Sequence, residues 1–265
     1  MAPLSPQQVL GQVNQAALAS ESAAGQHLND LTAHIAQLNS RFDDACAEDI
    51  LAAAIENLFT GQMALVSSFG ADSSVLLHMA AQIDKQIPVV FVDTGKLFGE
   101  TKRYRDQLIE TLGLQGVRSV KPEAANIASE DAKGSLWFND SDRCCHIRKV
   151  VPLEKALGGY KAWISGRKRH QSSTRASLQH FELDQGRVKI NPLASWSAKQ
   201  VLDYAKRHKL PPHPLVAQGY PSIGCMPCTD KVAEGEDPRA GRWRGKNKTE
   251  CGIHFPIKQA GNEAS

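Results

Sequence analysis

Between Met63 and Val120 the chain alternates short apolar runs with amphipathic stretches, and no other feature narrows its fold so far. Met63-Ala64-Leu65-Val66-Ser67-Ser68, Pro88-Val89-Val90-Phe91-Val92 and Val117-Arg118-Ser119-Val120 have the length and apolar content of buried strands. The stretches between them, Asp72 to Ile83 and Gly99 to Leu112, carry helical spacing. Further on, the spacing predicts a helix over Cys144 to Leu157, a strand over Lys161 to Ser165 and a helix over Ala198 to His208. Strands joined through helices pair in parallel, and helices then cover both faces of the sheet. The expected class is α/β, a mostly parallel, Rossmann-like sheet.

Such a sheet binds ligands beyond the carboxyl ends of its strands, which makes the loops at Ser67 to Ser73 and Asp93 to Gly99 the first places to look for a site. Residues 1–60 read as a helical segment packed on the core, with apolar residues at Leu31, Ile35, Leu38 and at Leu51, Ile55, Leu58. Residues 61–230 read as the α/β domain. After Pro211 the chain turns irregular and rich in Gly, Pro and cations, and residues 231–265 are expected to form a flexible tail or lid.

The length of 265 residues allows a full core without oligomerisation, and leaves the oligomeric state open. A net charge of +3 is too small to point to nucleic acid or a membrane surface. No window approaches the ~18 apolar residues of a membrane span, and Met1 to Gln8 lacks the features of a signal peptide, so a cytoplasmic location is expected. In a reducing compartment, cysteines at 46, 144, 145, 225, 228 and 251 suggest metal or catalytic chemistry rather than disulfides. Cys46 reads as a small packed residue.

Ser67-Ser68-Phe69-Gly70-Ala71-Asp72-Ser73 lies at a strand-to-helix junction. The glycine admits close approach of a ligand, and free amides and hydroxyls at the helix start can receive phosphate-type oxygens, or Asp72 or Ser73 can cap the helix. No Gly-Lys-Ser/Thr follows, so the loop is not a Walker motif. Asp93-Thr94-Gly95 supplies a second polar loop on the same sheet edge. Gly166-Arg167-Lys168-Arg169-His170-Gln171 places three cations at another strand end; without interleaved aromatics it suits a small polyanion better than nucleic acid.

Cys144-Cys145 and Cys225-Met226-Pro227-Cys228 together offer four thiolates, enough for tetrahedral zinc or a cubane iron–sulfur cluster. Adjacent helical residues point about 100° apart, which strains a single zinc but suits a cluster with a separate iron for each sulfur. Lys149, four residues beyond Cys145, shares its helical face. Near the end, Glu250-Cys251-Gly252-Ile253-His254 follows Lys231, Arg239, Arg242, Arg244, Lys246 and Lys248, a cationic stretch that would favour a thiolate at Cys251 and attract an anion.

From about Met63 to His254 these motifs resemble the sulfonucleotide reductases, and within them the iron–sulfur branch of assimilatory adenylyl-sulfate (APS) reductases. The resemblance rests chiefly on the Cys144-Cys145 pair with Cys225-Met226-Pro227-Cys228 and on Glu250-Cys251-Gly252-Ile253-His254. Ser68-Phe69-Gly70-Ala71-Asp72, Asp93-Thr94-Gly95, Leu97-Phe98, Glu100-Thr101 and Asp237-Pro238-Arg239-Ala240-Gly241-Arg242-Trp243 support it. It implies an adenine-nucleotide α-hydrolase-like fold and a 4Fe-4S cluster on Cys144, Cys145, Cys225 and Cys228. It also implies substrate contacts from Ser68, Phe69, Gly70, Asp72, Ser73, Asp93, Lys149, Arg167, Arg239, Arg242 and His254.

The same resemblance implies that Cys251 attacks the sulfur of APS, releases AMP and leaves a thiosulfonate, from which thioredoxin or glutaredoxin frees sulfite. The four cysteines favour APS over its 3'-phosphorylated relative PAPS. Two other readings stand beside it: an iron–sulfur tRNA thiolation enzyme of the same fold, and a zinc-bound redox-sensing module in which Cys251 is a sensor thiol.

Overall fold

The computed structural model describes residues 25–246 and 248–254, without the side chain of His254. The helical reading of residues 5–24 lies outside them. Six strands form one sheet: β1 (Met63–Val66), β2 (Val89–Val92), β3 (Val117–Val120), β4 (Ala162–Ile164), β5 (Phe181–Asp184) and β6 (Arg187–Ile190), in the order β3-β2-β1-β4-β6-β5. All neighbours pair in parallel except the β5–β6 hairpin, with registers such as Leu65↔Val89 and Leu65↔Ile164.

Strand periodicity divides the core in two. Met63, Leu65, Val89, Phe91, Ala162 and Ile164 face a large cluster beneath α3 (Ser73–Ile83), α4 (Gly99–Leu112) and α9 (Ala198–Arg207). Their alternates Ala64, Val90 and Trp163 face Leu153, Ala156 and Leu157 of α8 (Val151–Leu157). Successive strand side chains point to opposite faces, so a continuous apolar run is what a strand covered on both sides requires.

The helix at residues 25–41, α1, leads to α2 (Ala47–Ala52), which continues as a π turn to Leu58. Ile35, Leu38 and Phe42 are buried in the large cluster. Asn39 also pairs with the outer edge of β5, its carboxamide donating to the Phe181 carbonyl at 2.8 Å and accepting from the Phe181 amide at 2.9 Å. An exposed edge strand would otherwise offer unpaired backbone groups to other chains.

Two elements differ from the sequence expectation. The β5–β6 hairpin was not anticipated, because Phe181-Glu182-Leu183-Asp184 mixes charges into the strand; its turn is made by Gln185 and Gly186, both at positive φ (51° and 77°), as a two-residue hairpin loop needs. The helix expected over Cys144 to Leu157 is a run of α7 (Ser141–Cys145), a π turn (His146–Val150) and α8. Pro152 supplies a physical reason: it has no N–H to give the Arg148 carbonyl and its ring would collide there, so the turn before it widens. Between α7 and β3 lie the short helices α5 (Ala124–Glu130) and α6 (Leu136–Asn139).

Among the described residues no helix is long and apolar enough to cross a membrane. At the entry to β3, a methyl group added to Gly116 would sit 2.3 Å from the Ile87 carbonyl oxygen and 2.5 Å from that of Gln86, both rigid backbone atoms. Gly116→Ala is therefore expected to lower the unfolding free energy by about 1–3 kcal/mol, the usual cost of overpacking. An unchanged denaturant midpoint would show that the β2–β3 edge yields more easily than its close approach suggests.

Candidate active site

The strand order reverses at β1, whose neighbours β2 and β4 carry the chain in opposite directions, and a cleft of about 940 Å³ opens at the carboxyl ends there. Ser68, Gly70, Asp72 and Ser73 line its first side. Phe69 does not. Its backbone adopts a left-handed φ of 49°, its ring is fully buried edge-on to Phe91 at 5.4 Å, and its amide donates to the Ser67 hydroxyl at 3.1 Å. The loop is thus pinned from below while its upper surface faces the cleft. Asp72 precedes α3 without capping it; its carboxylate accepts instead from Lys168 Nζ at 3.0 Å.

Asp93 also stays off the cleft. It accepts from the Gly95 amide at 3.0 Å and pairs with Lys102 at 3.0 Å. Burial would raise its pKa, but those two contacts outweigh burial and lower it. The useful group in this loop is Thr94, which the sequence reading passed over. Its hydroxyl lies 3.2 Å from Cys225 Sγ, and its carbonyl accepts from Arg148 Nη1 at 2.9 Å. Arg148, buried and paired with Asp131 at 2.6 Å, thereby ties the second loop to the cysteine helix.

Cys144, Cys145, Cys225 and Cys228 line one pocket, with Lys149 and Trp243 beside them. Cys144 and Cys145 end α7, which Asp140 caps through the amides of Asp142 and Arg143. Cys225 and Cys228 flank a 3-10 turn fixed by the bond from the Met226 amide to the Lys96 carbonyl at 2.8 Å. Among the described residues no three Cys, His, Asp or Glu side chains converge to hold a single metal ion. Burial raises the thiol pKa values of Cys144 and Cys228.

Lys149 lines both the cysteine pocket and the cleft. Burial alone would lower its pKa, yet the sulfurs of Cys225, Cys251 and Cys145 raise it. Arg242 lines the cleft with its guanidinium 4.3 Å over the Trp243 ring, and its Nε is buried without a hydrogen-bond partner among the described residues. A methyl at Gly224 would come within 2.3 Å of this guanidinium, so a glycine is what lets Arg242 lie there. Arg167 reaches the cleft while paired with Glu182 and 3.3 Å from Asn191 Oδ1.

The tail closes over these groups. Glu250 is buried and accepts from Arg175 at 2.6 and 2.7 Å through two nitrogens, and from the Ser172 hydroxyl at 3.0 Å. Arg239 lies 3.6 Å from the same carboxylate and donates to the Thr249 carbonyl at 3.0 Å; burial, then the neighbouring Arg175, lowers its pKa to about 10, which leaves it charged at neutral pH. Lys246 and Lys248 donate to the Trp137 carbonyl and to Ser141 and Asp142. These cations fasten the tail to α6 and α7. Ile253, like Val66, Val92 and Val120, packs against the buried cluster of Ala64, Val90, Leu153, Ala156, Leu157 and Trp163.

Cys251 is thus placed in the cleft, where its pKa is lowered well below the usual thiol value. A hydrogen bond from Cys145 is the largest cause, and Lys149, the Ile253 amide and Arg242 act against burial in the same direction. His254 ends the 3-10 turn Gly252–His254 that follows, and its side chain lies outside the described residues. The structure therefore gathers a thiolate, the four cations of the predicted set and a glycine-containing loop around one cleft. Sequence reasoning missed Arg175 and gave Lys168 and Glu250 only as members of a motif, without the ion pairs in which their charges act.

Residues 62–231 match the family model described as phosphoadenosine phosphosulfate reductase domain. A protein of Mesorhizobium japonicum named adenosine 5'-phosphosulfate reductase is 48% identical, over 86% of this chain and 92% of its own. One from Gloeobacter violaceus named phosphoadenosine 5'-phosphosulfate reductase is 42% identical, over 82% and 92%. Among solved structures, a phosphoadenylyl-sulfate (PAPS) reductase from Candida auris in a phosphate complex is similar with a TM-score of 0.64 at 25% identity, covering 75% of this chain and 96% of that one.

The Glu250–Arg175 pair yields a test of tail docking. Burial would raise the Glu250 pKa, but the Arg175 hydrogen bonds and charge overrule it and lower it. A depressed carboxylate stabilises docking above the ordinary glutamate pKa and loses that contribution as pH falls through the folded value. Glu250→Gln is expected to cut hydrogen-exchange protection of residues 246–254 by roughly 10- to 100-fold at neutral pH, the scale of a lost charged hydrogen bond, and to remove its acid dependence. Wild-type protection in the variant would mean that the pair does not hold the tail.

Proposed function

Because the chain belongs to the phosphoadenosine phosphosulfate reductase family, we propose that it reduces an adenosine phosphosulfate to sulfite and AMP, with APS as its substrate. The observation that carries this reading is the Cys251 side chain lying among Lys149 and Arg242 in a cleft at the switch point of a nucleotide-type sheet. The Mesorhizobium relative's name and the four-cysteine set favour APS; the Gloeobacter relative's name makes PAPS the second reading.

The loop of Ser68, Gly70 and Ser73 receives the nucleotide. Phe69 supports that loop from the core and Asp93 fixes the neighbouring one, so both act through the backbone they hold. Lys149, Arg167, Arg239 and Arg242 oppose the charge of the phosphosulfate, and His254 hydrogen-bonds the same group. Fixed cations in a closed site favour charge that develops on the leaving phosphate at no reorganisation cost.

Cys251 Sγ attacks the sulfur of APS. The bond from that sulfur to the bridging oxygen breaks, AMP leaves with the electron pair, and a Cys251 thiosulfonate remains. A thiolate of thioredoxin or glutaredoxin then attacks Cys251 Sγ and releases sulfite. The second thiol of that donor displaces Cys251 from the mixed disulfide, so the donor is oxidised by two electrons and Cys251 regains its thiolate. In this reading the tail carries Cys251 out to the donor and back, so that among the described residues 231–246 and 248–254 act as a mobile lid, 61–230 as the nucleotide- and cluster-binding domain and 25–60 as a supporting helical segment.

The donor set fits a 4Fe-4S cluster: Cys144, Cys145, Cys225 and Cys228 line one pocket without converging on a point, and a cluster offers each sulfur its own iron. When bound, the cluster supplies negative charge that polarises the site beside Lys149 without exchanging electrons. Cys145 as its ligand would no longer donate to Cys251, leaving Lys149, Arg242 and the Ile253 amide to hold the thiolate.

Sulfite release by anaerobically purified protein with thioredoxin is expected with APS, much more weakly with PAPS, and to be abolished by Cys251→Ser. Turnover of PAPS alone would transfer the assignment to the second reading. Sulfite from Cys251→Ser at the wild-type rate would remove the nucleophile from this account.

A further inference from the structure

We propose that Gln171 is a positioning residue that joins the nucleotide loop and the tail cysteine into one frame; the proposal rests on the reading of the cleft given above. Asp72, in the first loop, accepts from Lys168 Nζ at 3.0 Å and from Gln171 Nε2 at 3.4 Å. On its other side Gln171 Oε1 accepts from the Lys168 amide at 3.1 Å and from Arg175 Nη1. Arg175 then grips Glu250 through its remaining nitrogens at 2.6 and 2.7 Å, and the next residue is Cys251. Three side chains thus span from the loop that faces the nucleotide to the backbone of the nucleophile.

The chemistry of this joint admits few residues. Toward Lys168 and Arg175 it meets only donors, which demand an acceptor; toward Asp72 it meets only a carboxylate, which demands a donor. A carboxamide has one of each on a planar end. Glutamate would set a second negative charge against Asp72, and lysine would oppose Arg175. Lys168 is fully buried beneath this contact and Gln171 itself lines the cleft, so a shift of Asp72 when a nucleotide settles on the loop is passed to Arg175 rather than lost to solvent.

A purely local role is the alternative, because the same Gln171 oxygen caps the 3-10 turn Arg169–Gln171. Gln171→Glu separates the two: it keeps the acceptor for the turn and for Arg175 and replaces the donor to Asp72 with a repelling carboxylate. Gln171→Leu removes both. The measurements are the thermal midpoint, kcat and KM for APS, and hydrogen exchange of residues 246–254 with and without AMP, all on the full chain purified anaerobically.

The expected result is that Gln171→Glu keeps the wild-type thermal midpoint, loses the extra tail protection that AMP confers, and shows kcat down by about 30-fold or more with KM changed by less than about threefold. That is the signature of a misplaced nucleophile rather than weaker binding. Wild-type kcat and AMP-linked protection in Gln171→Glu, with loss of stability confined to Gln171→Leu, would overturn the proposal in favour of the cap. So would a fall in both kcat and thermal midpoint in Gln171→Glu. If the wild type shows AMP-linked protection that Gln171→Glu loses, but releases no sulfite from APS or PAPS, the functional reading fails and the joint stands. If it releases sulfite and Gln171→Glu does so equally well, the joint fails and the reading stands.

Discussion

A parallel sheet whose winding reverses beside its central strand leaves two loops there without a helix to cover them. In this protein β1 is that strand, and the loops after β1 and β4 diverge around a cleft that the core cannot fill. The rest of the architecture answers this gap. The β1 loop is pinned by Phe69 into the core, the β4 loop is stiffened by Lys168, Gln171 and Arg175, and the tail supplies the missing roof.

The roof brings a difficulty of its own, since it gathers cations into a poorly solvated place. Four of them are answered by a specific partner: Arg175 by Glu250, Arg148 by Asp131, Arg167 by Glu182 and Lys168 by Asp72. Arg175–Glu250 and Arg148–Asp131 are buried on both sides, and removing one member of such a pair typically costs about 3–5 kcal/mol, because the other is left uncompensated. Arg242 differs: among the described residues its Nε has no hydrogen-bond partner, and its plane lies over Trp243.

How much of this was legible from the sequence follows from the range of each interaction. β1 to β4 and the main helices were visible because their apolar spacing is local, and the four pocket-lining cysteines were visible because few other roles suit paired thiols in such a chain. The β5–β6 hairpin was hidden because one strand carries Glu182 and Asp184, whose partners Arg167 and Trp163 come from β4 and the loop that follows it. Phe69 and Asp93 were expected at the nucleotide; the structure shows them bracing the loops instead, since motif membership does not reveal which way a side chain turns. Glu250 read as one carboxylate beside a basic stretch, and Arg175 carried no signal of its own; only a contact across 75 residues pairs them.

The widened turn at His146–Val150 has a consequence for the helix that contains it. One end of that helix must aim Cys144 and Cys145 into their pocket, while the other must lay Leu153, Ala156 and Leu157 flat on the sheet. A regular helix fixes the angle between two such faces at about 100° per residue, and a widened turn resets that angle by absorbing part of a step. The segment acts as a phase shifter between two rigid bodies. The aim of the thiols and the packing of the sheet can therefore be adjusted independently, and Lys149, which sits inside the shifted turn, faces the pocket and the cleft at once.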